Sequence, residues 1–214
     1  MIKIKIENEY SSLKTVILVI ANDIGEPPNI FDAYDPRSLY HAKNNSFPDE
    51  TDLIKNVEKF YNKLLKHNVE ILRPENIPNC NQIFTRDLGF VISNIFFISN
   101  IVPARQDEIQ GIENIIKNLD VGVIKLPKYM HIEGGDVVLH NGKLFIGTYL
   151  DANYSSLITA RTNIESIEYL KKMLPNIEII PIEIKKSNTN IFENTLHLDC
   201  CFQTVGPDLS LIHI

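Results

Sequence analysis

Residues 131–147 read HIEGGDVVLHNGKLFIG. From Asp136 onward this stretch predicts a β-hairpin, because two apolar strands flank Asn141–Gly142, the dipeptide that most strongly favours a two-residue hairpin turn. Apolar residues at helical spacing over 164–174 then predict an amphipathic helix that ends before Pro175, and residues 177–184 predict a strand. The unit hairpin–helix–strand predicts an α/β fold.

The same unit precedes this stretch and begins again after it. Residues 88–99 predict a first hairpin with a Ser-Asn turn, followed by an amphipathic helix over 109–119 and a strand over 121–126. Residues 198–206 open a third hairpin. Repeats of this kind predict an array whose units cannot bury their faces alone. If the units lie radially around an axis, the residues at equivalent entrances meet at the centre.

The N-terminal part is less regular. Residues 13–20, LKTVILVI, predict a strand buried on both faces, and residues 22–50 predict a long loop rich in Pro, Asn and Asp. Loops of this length inside a compact domain are usually functional. From Thr51 the spacing of apolar residues predicts a helix, and residues 69–72 predict a short strand.

The composition excludes several classes of partner. An apolar share of 44% with 22% charged residues is ordinary for a globular protein, and a net charge of −6 argues against nucleic acid or an anionic membrane as a partner. The sequence shows neither a signal peptide nor a membrane-spanning run. The three cysteines, Cys80, Cys200 and Cys201, make no disulfide framework. We therefore expect a cytoplasmic protein.

An aspartate stands at each hairpin entrance: Asp87, Asp136 and Asp199. Glu133 and His197 accompany the second and the third. Carboxylates that face one pocket are unfavourable unless a cation or protons compensate their charge. A guanidinium group suits such a pocket because it donates bidentately to carboxylates, and a divalent metal suits it too. These residue types alone leave both ligands open.

Three motifs in this order resemble a known group of enzymes: NQIFTRD (81–87), IEGGDVV (132–138) and HLDCCFQTVGPD (197–208). They resemble the guanidino-group-modifying enzymes, that is, arginine deiminases, dimethylarginine dimethylaminohydrolases and amidinotransferases. The resemblance implies a propeller of five ββαβ units around a central site, of which this chain would supply an incomplete ring of about three. It also implies an arginine-like cationic substrate and neither a metal nor an organic cofactor.

The resemblance implies covalent chemistry. A cysteine thiolate attacks the guanidinium carbon and an amine leaves; water in the hydrolases, or a second amine in the transferases, then resolves the intermediate. His197 resembles the catalytic histidine that protonates the leaving amine, and Glu133 resembles the acid that supports this histidine and grips the guanidinium. Asp87 and Asp199 resemble carboxylates that bind the substrate.

Three further residues are carried over as substrate-binding. Asn81 resembles a substrate-lining asparagine, and Arg161 resembles the arginine that holds the substrate α-carboxylate. Asp136 either touches the substrate or only starts its hairpin. We expect Arg86 to have a structural role and His131 to be an ordinary loop residue.

The nucleophile is the main departure from the pattern. The cysteine of these enzymes follows the HLD motif at a distance, whereas no cysteine follows Cys201 here. Because Cys200 and Cys201 fall in a predicted apolar strand, we expect them to be core residues. We further expect residues 1–208 to be a partial catalytic domain, and residues 209–214, LSLIHI, to be a non-native tail that matches a translated sequencing adapter.

Two other functions stay open at this point. A metal-dependent hydrolase could use the His/Asp/Glu cluster, and a non-catalytic binding protein could share the same propeller. The residues do not distinguish hydrolysis from amidino transfer. A homo-oligomer is compatible with the sequence.

Overall fold

The computed structural model describes residues 2–212. The strands, in chain order, are β1 (Ile2–Lys3), β2 (Thr15–Ile17), β3 (Glu70–Leu72), β4 (Gly89–Ile92), β5 (Ile95–Ile98), β6 (Leu119–Asp120), β7 (Gly122–Lys125), β8 (Val137–His140), β9 (Lys143–Thr148), β10 (Glu178–Glu183), β11 (Phe202–Gly206) and β12 (Leu209–Ile212). The α-helices are α1 (Pro36–Asn44), α2 (Glu50–Lys66), α3 (Glu113–Lys117) and α4 (Ile164–Met173). Among these residues, no helix is both long and apolar enough to cross a bilayer.

Two three-stranded sheets confirm the predicted hairpin–helix–strand units. In the first, β4 and β5 are antiparallel and β7 joins β5 in parallel after α3. In the second, β8 and β9 are antiparallel and β10 joins β9 in parallel after α4. The predicted Asn141–Gly142 turn has positive φ at both residues, 48° and 70°, as a two-residue hairpin turn requires. The strand pattern and this turn together fix the register of the second unit.

The third hairpin is also present. β11 pairs antiparallel with β12, and the partners include Phe202 with Ile212. Residues 209–212, which the sequence analysis assigns to a non-native tail, therefore form a strand, and its side chains are exposed. Residues 213 and 214 of that tail lie outside the described residues.

The N-terminal predictions need two corrections. The strand predicted at 13–20 covers only Thr15–Ile17 and is half-buried; within residues 2–212 it pairs with β3 alone. The predicted loop contains α1. Asp35 caps this helix by accepting hydrogen bonds from the amides of Arg37 and Ser38, and Pro36 sits in the first turn, where a proline is tolerated.

The helix predicted over residues 109–119 also differs. Its residues 109–112 are the end of a 3₁₀ helix, Pro103–Ile112, and Glu113–Lys117 is α-helical. Leu119 belongs to β6, which pairs in parallel with β1. The apolar positions still face inward: Ile112, Ile116 and Leu119 are buried in one cluster with Leu88 and Phe96. Burial was therefore predicted correctly, and the helix is α-helical over Glu113–Lys117 but 3₁₀ before it.

The main core lies where the two three-stranded sheets and α4 meet. Phe90 and Phe97 stack with ring centroids 5.1 Å apart, and Leu144, Ile167 and Leu170 are fully buried beside them. This core holds the two hairpins side by side. Short 3₁₀ turns precede all three hairpins, and the first contacts the second, which contacts the third: Thr85–Leu88, Gly134–Asp136 and Leu198–Cys200. The hairpin entrances therefore meet, as the repeat predicts.

Gly134 lets these turns approach, and substituting it tests the packing. A Cβ at Gly134 would lie 2.6 Å from the carbonyl oxygen of Gly89 and closer still to that of Arg86. We expect Gly134→Ala to lower the free energy of unfolding by about 3 kcal/mol, because backbone must move to admit the methyl group. Urea denaturation measures this. Gly122→Ala is the control, since its Cβ would meet only atoms 3.7 Å away or more; equal losses in both variants would contradict the close approach.

Candidate functional site

The three turns at the hairpin entrances bring two carboxylates and a histidine close together. One side-chain oxygen or nitrogen atom from each of Asp87, Glu133 and His197 lies within 4.8 Å of the other two. Gly135 makes room for this group, since a Cβ there would lie 2.8 Å from both Asp87 Oδ1 and the His197 ring. All three side chains are buried. The structure thus brings together three of the residues that the motifs single out.

The imidazole of His197 is oriented by two carboxylates. Its Nε2 lies 2.9 Å from Glu133 Oε2, at hydrogen-bond distance, and its Nδ1 lies 3.5 Å from Asp87 Oδ1. Hydrogen bonding through Nε2 fixes the ring plane and leaves Nδ1 on the side of Asp87. A reacting group beside Asp87 would therefore face Nδ1.

Arg161 lies in the site, but its contacts differ from the predicted contact with a substrate carboxylate. Its Nη1 donates to both oxygens of Glu133 at 3.1 Å, and its Nε donates to the carbonyl of Ile158. Its Nη2 donates to the carbonyl of Tyr34, whose ring lies 5.8 Å from the guanidinium carbon. The side chain is fully buried. All three nitrogens of the guanidinium donate to groups of the protein.

Arg105 is the main residue that the sequence analysis missed. Its Nη1 donates to Asp87 Oδ2 at 2.7 Å and lies 3.7 Å from Glu133 Oε2. Its Nε and Nη2 pair bidentately with Glu108 at 2.7 and 2.9 Å, and the guanidinium lies over the ring of Phe84. Arg105 sits in the 3₁₀ helix outside every motif. An arginine in a stretch otherwise poor in basic residues was the only available sequence signal.

Asp136 lies behind the site. Its Oδ2 accepts a hydrogen bond from Thr162 Oγ1 at 2.6 Å, and its Oδ1 accepts one from the amide of Leu198 at 3.0 Å. A Cβ at Gly147 would overlap Asp136 Oδ1, so the carboxylate is tightly enclosed. Asp136 stands at the start of its hairpin and holds the backbone next to His197. Its contact with a substrate stays a prediction.

Asp199 and Asn81 lie outside the buried group. Asp199 is partly exposed and its Oδ2 is 3.8 Å from Arg86 Nε. Arg86 also pairs with Glu9 and donates to the carbonyl of Val137, which agrees with the structural role expected of it. Asn81 Oδ1 accepts from the amide of Ile83 in a local turn. Contact of Asp199 and Asn81 with a substrate stays a prediction.

The charges around His197 shift the pKa values in opposite directions. Burial would lower the pKa of His197, but the hydrogen bond to Glu133 and the charges of Asp87 and Asp136 outweigh it and raise that pKa above its ordinary value. Burial would raise the pKa of Glu133, yet the hydrogen bond to His197 and the charges of Arg161, His197 and Arg105 lower it to about 2. The pair therefore favours an imidazolium facing a carboxylate.

None of the chain's three cysteines has the surroundings of a reactive thiol. Burial, together with nearby acidic charges, raises the pKa of Cys80 and of Cys200 to about 11. Burial and the charges of Asp136 and Asp199 also raise the pKa of Cys201, whose Sγ donates to the carbonyl of Leu198. The strand predicted here begins only at Phe202, so Cys200 and Cys201 lie in and just after a 3₁₀ turn. Thiols with raised pKa values are poor nucleophiles.

The residue types of the buried group would suit a divalent metal, but their partners do not. Asp87, Glu133 and His197 offer one nitrogen and two carboxylate ligands. However, the guanidinium of Arg105 already pairs with Asp87 and that of Arg161 with Glu133. Two fixed positive charges beside the ligands oppose a dication. The site fits a planar monocation better.

A comparison with sequence families gives one match that covers most of the chain. Residues 39–214 match the family described as N,N dimethylarginine dimethylhydrolase, eukaryotic. Among curated proteins, the uncharacterized protein YkgA of Bacillus subtilis (strain 168) is 28% identical over 211 residues. That alignment covers 96% of this chain, and the chain spans 64% of the length of YkgA.

Solved structures share the fold at lower identity. SxtG, an amidinotransferase from Microseira wollei in the saxitoxin biosynthetic pathway, superposes with a TM-score of 0.73 at 16% identity, over 98% of this chain and 69% of that one. The dimethylarginine dimethylaminohydrolase of Pseudomonas aeruginosa, solved as a C249S mutant with citrulline, superposes with a TM-score of 0.57 at 18% identity, over 73% of this chain and 56% of that one.

The lowered pKa of Glu133 predicts a specific pH dependence of stability. A carboxylate whose pKa falls from its ordinary 4.5 to about 2 on folding stabilises the fold above pH 4.5, and this contribution is lost as the pH falls towards 2. We expect the wild type to exceed Glu133→Gln by at least about 3 kcal/mol at pH 7, and the difference to shrink steadily below pH 4.5.

Urea unfolding at pH 7, 5, 4 and 3 measures this difference. The control is Glu26→Gln, which makes the same change on an exposed loop residue and should alter stability little at any pH. A difference between wild type and Glu133→Gln that stays constant over this range would contradict the assigned ionisation of Glu133.

Proposed function

The chain belongs to the N,N dimethylarginine dimethylhydrolase family, and from this premise we propose that the protein cleaves a guanidino C–N bond of arginine or an arginine derivative. The reaction is either hydrolysis or transfer of the amidino group to an acceptor amine. His197 and Glu133 carry the proton chemistry, and Asp87 binds the guanidinium. We also propose that the substrate is bound by Asp199, Asn81 and Arg161.

One observation carries this proposal. The carboxylate of Asp87 already holds a guanidinium, that of Arg105, at 2.7 Å, and His197 lies on the other side of the same carboxylate at 3.5 Å. A buried carboxylate favours a cation that donates charge-assisted hydrogen bonds to it. A substrate guanidinium on Asp87 Oδ1 would lie within reach of His197 Nδ1. Binding and proton transfer would then occur at adjacent atoms.

The proposed reaction has two steps. A cysteine thiolate forms an S–C bond to the guanidinium carbon, the C–N bond to the leaving amine breaks, and His197 donates its proton to that amine. His197 then takes a proton from water or from an acceptor amine, which attacks the carbon as the S–C bond breaks. The raised pKa of His197 supports the first role, because the acid must be protonated when the substrate arrives.

The thiolate is proposed to come from a cysteine outside these 214 residues. The raised pKa values of Cys80, Cys200 and Cys201 support this assignment. We likewise propose that the ββαβ units belong to a five-unit ring, which the two complete units and the third hairpin support. Cytoplasmic location and homo-oligomerisation stay predictions.

Two alternatives lead to different results. A metal-dependent hydrolase would lose activity to a chelator, whereas the thiol mechanism would not. A non-catalytic binding protein would bind an arginine-like ligand without turnover. The pairing of Asp87 and Glu133 with Arg105 and Arg161 argues against the metal. The protonatable histidine hydrogen-bonded to a buried carboxylate argues for catalysis rather than binding alone.

The test uses the protein encoded by the complete reading frame. L-arginine, methylated arginines and arginine with an acceptor amine are offered, and ureido product, released amine and transferred amidino group are quantified with and without EDTA. We expect turnover that EDTA does not affect, and we expect His197→Ala to reduce kcat by at least about 1,000-fold, because proton transfer is lost in both steps.

His67→Ala is the matched control, since this histidine is exposed at the end of α2 and should be dispensable. Full activity of His197→Ala would overturn the assigned role. Loss of wild-type activity in EDTA, restored by added metal, would favour the metal-dependent alternative.

A further inference from the structure

Lys186 lies just after β10 and reaches the backbone next to His197. Its ammonium donates to the carbonyl of Leu196 at 2.7 Å and to that of Thr195 at 3.0 Å. These are the two carbonyls that directly precede His197 in the chain. We use the term histidine segment for residues 195–198. Lys186 thus holds this segment on its N-terminal side.

Asp136 holds the same segment on its C-terminal side. Its Oδ1 accepts a hydrogen bond from the amide of Leu198 at 3.0 Å, and Thr162 fixes the other oxygen. One cationic and one anionic side chain therefore hold the backbone immediately before and immediately after His197. Because hydrogen bonds to charged groups are stronger than those between neutral groups, the position of the His197 Cα is tightly determined.

The two charged groups also stabilise each other. Burial lowers the pKa of Lys186, whereas the carboxylate of Asp136 raises it; in return the charge of Lys186 counteracts the effect of burial on Asp136. The neighbouring Lys185 behaves differently, because it is exposed and pairs with Glu193 on the surface. Burying an ammonium is costly unless it makes strong hydrogen bonds. Here those bonds go to the histidine segment.

We propose that Lys186 is a positioning residue for His197. By holding the carbonyls of Thr195 and Leu196, it keeps the imidazole where Nε2 faces Glu133 at 2.9 Å and Nδ1 faces Asp87 at 3.5 Å. Its effect on turnover rests on the proposed function. Its effect on the geometry of His197 does not, and the experiment uses this difference.

The geometry is tested by NMR on the 214-residue chain labelled with ¹⁵N-histidine. The imidazole N–H that bonds to Glu133 should exchange slowly with water, and His197→Gln identifies its signal by removing it. We expect Lys186→Met to broaden or abolish this signal, because the histidine segment is no longer held. Lys186→Arg should keep it, since a guanidinium can still donate to both carbonyls.

The matched control is Lys185→Met, which removes the same charge one residue away and should leave the signal unchanged. Urea denaturation shows whether each variant is folded; if Lys186→Met is not, Lys186→Ala replaces it, because it too has neither a donor nor a charge. A folded Lys186→Met or Lys186→Ala variant whose His197 signal has the wild-type shift and exchange rate would overturn the proposal.

Kinetics on the complete reading frame separate the two proposals. We expect Lys186→Met to lower kcat by about 10- to 100-fold with little change in KM, since misplacing a catalytic group by a fraction of an ångström has effects of this size. If the wild type turns over no guanidino compound while the NMR signal still responds, the proposed function is wrong and the positioning role stands. If turnover is found and the signal does not respond, the positioning role is wrong.

Discussion

The site depends on the hydrogen bonds that the buried carboxylate of Glu133 accepts. Its Oε1 accepts hydrogen bonds from the amide of Val102 and from Arg161, and its Oε2 accepts from Arg161 and lies at hydrogen-bond distance from His197. These partners come from the first unit, from the segment before α4 and from the third hairpin. An unpaired carboxylate would be very costly at this depth. The three parts of the chain must therefore come together for Glu133 to remain charged.

The charges around Glu133 nearly balance, and the balance explains the state of His197. Three buried carboxylates, those of Asp87, Glu108 and Glu133, face two guanidinium groups, those of Arg105 and Arg161. One negative charge is left over, and a protonated His197 neutralises it. The hydrogen bond to Glu133 and the charges of Asp87, Asp136 and Glu133 raise the pKa of His197 despite burial. A cationic substrate that arrived at Asp87 would supply the same charge. The positive charge of the imidazolium would then no longer be required to balance the carboxylates. His197 would release its proton more easily, as the acid that protonates a leaving amine must.

Much of the fold followed from the sequence, because its strongest elements are local. The second hairpin depends on Asn141–Gly142, and the inward-facing positions of α4 depend on helical spacing alone. α1 was not predicted because most of its residues are polar, although Asp35 and Pro36 form a helix start signal. Residues 109–112, which end the 3₁₀ helix, were predicted as one amphipathic helix with Glu113–Lys117, because both helix types bury residues three apart.

The site was predictable only in part, and the reason is physical. Asp87, Glu133 and His197 stand at equivalent places in repeated units, so their meeting follows from the repeat. The partners of Arg161 and Asp136 do not, since hydrogen bonds between distant segments leave no local pattern in the chain. Arg105 was missed for the same reason, although it supplies the guanidinium that balances Asp87.

Arg105 would also limit where the proposed substrate binds. Its Nη1 occupies Oδ2 of Asp87, and its Nε and Nη2 pair with Glu108. Both oxygens of Glu133 are taken by Arg161, His197 and Val102. Of these two carboxylates, the atom that remains for an incoming guanidinium is Asp87 Oδ1, which lies 3.5 Å from His197 Nδ1. A guanidinium held there would present one of its nitrogens to that imidazole nitrogen. In the proposed reaction, the internal arginines would therefore leave Asp87 Oδ1 to the substrate guanidinium, where His197 could protonate a leaving amine.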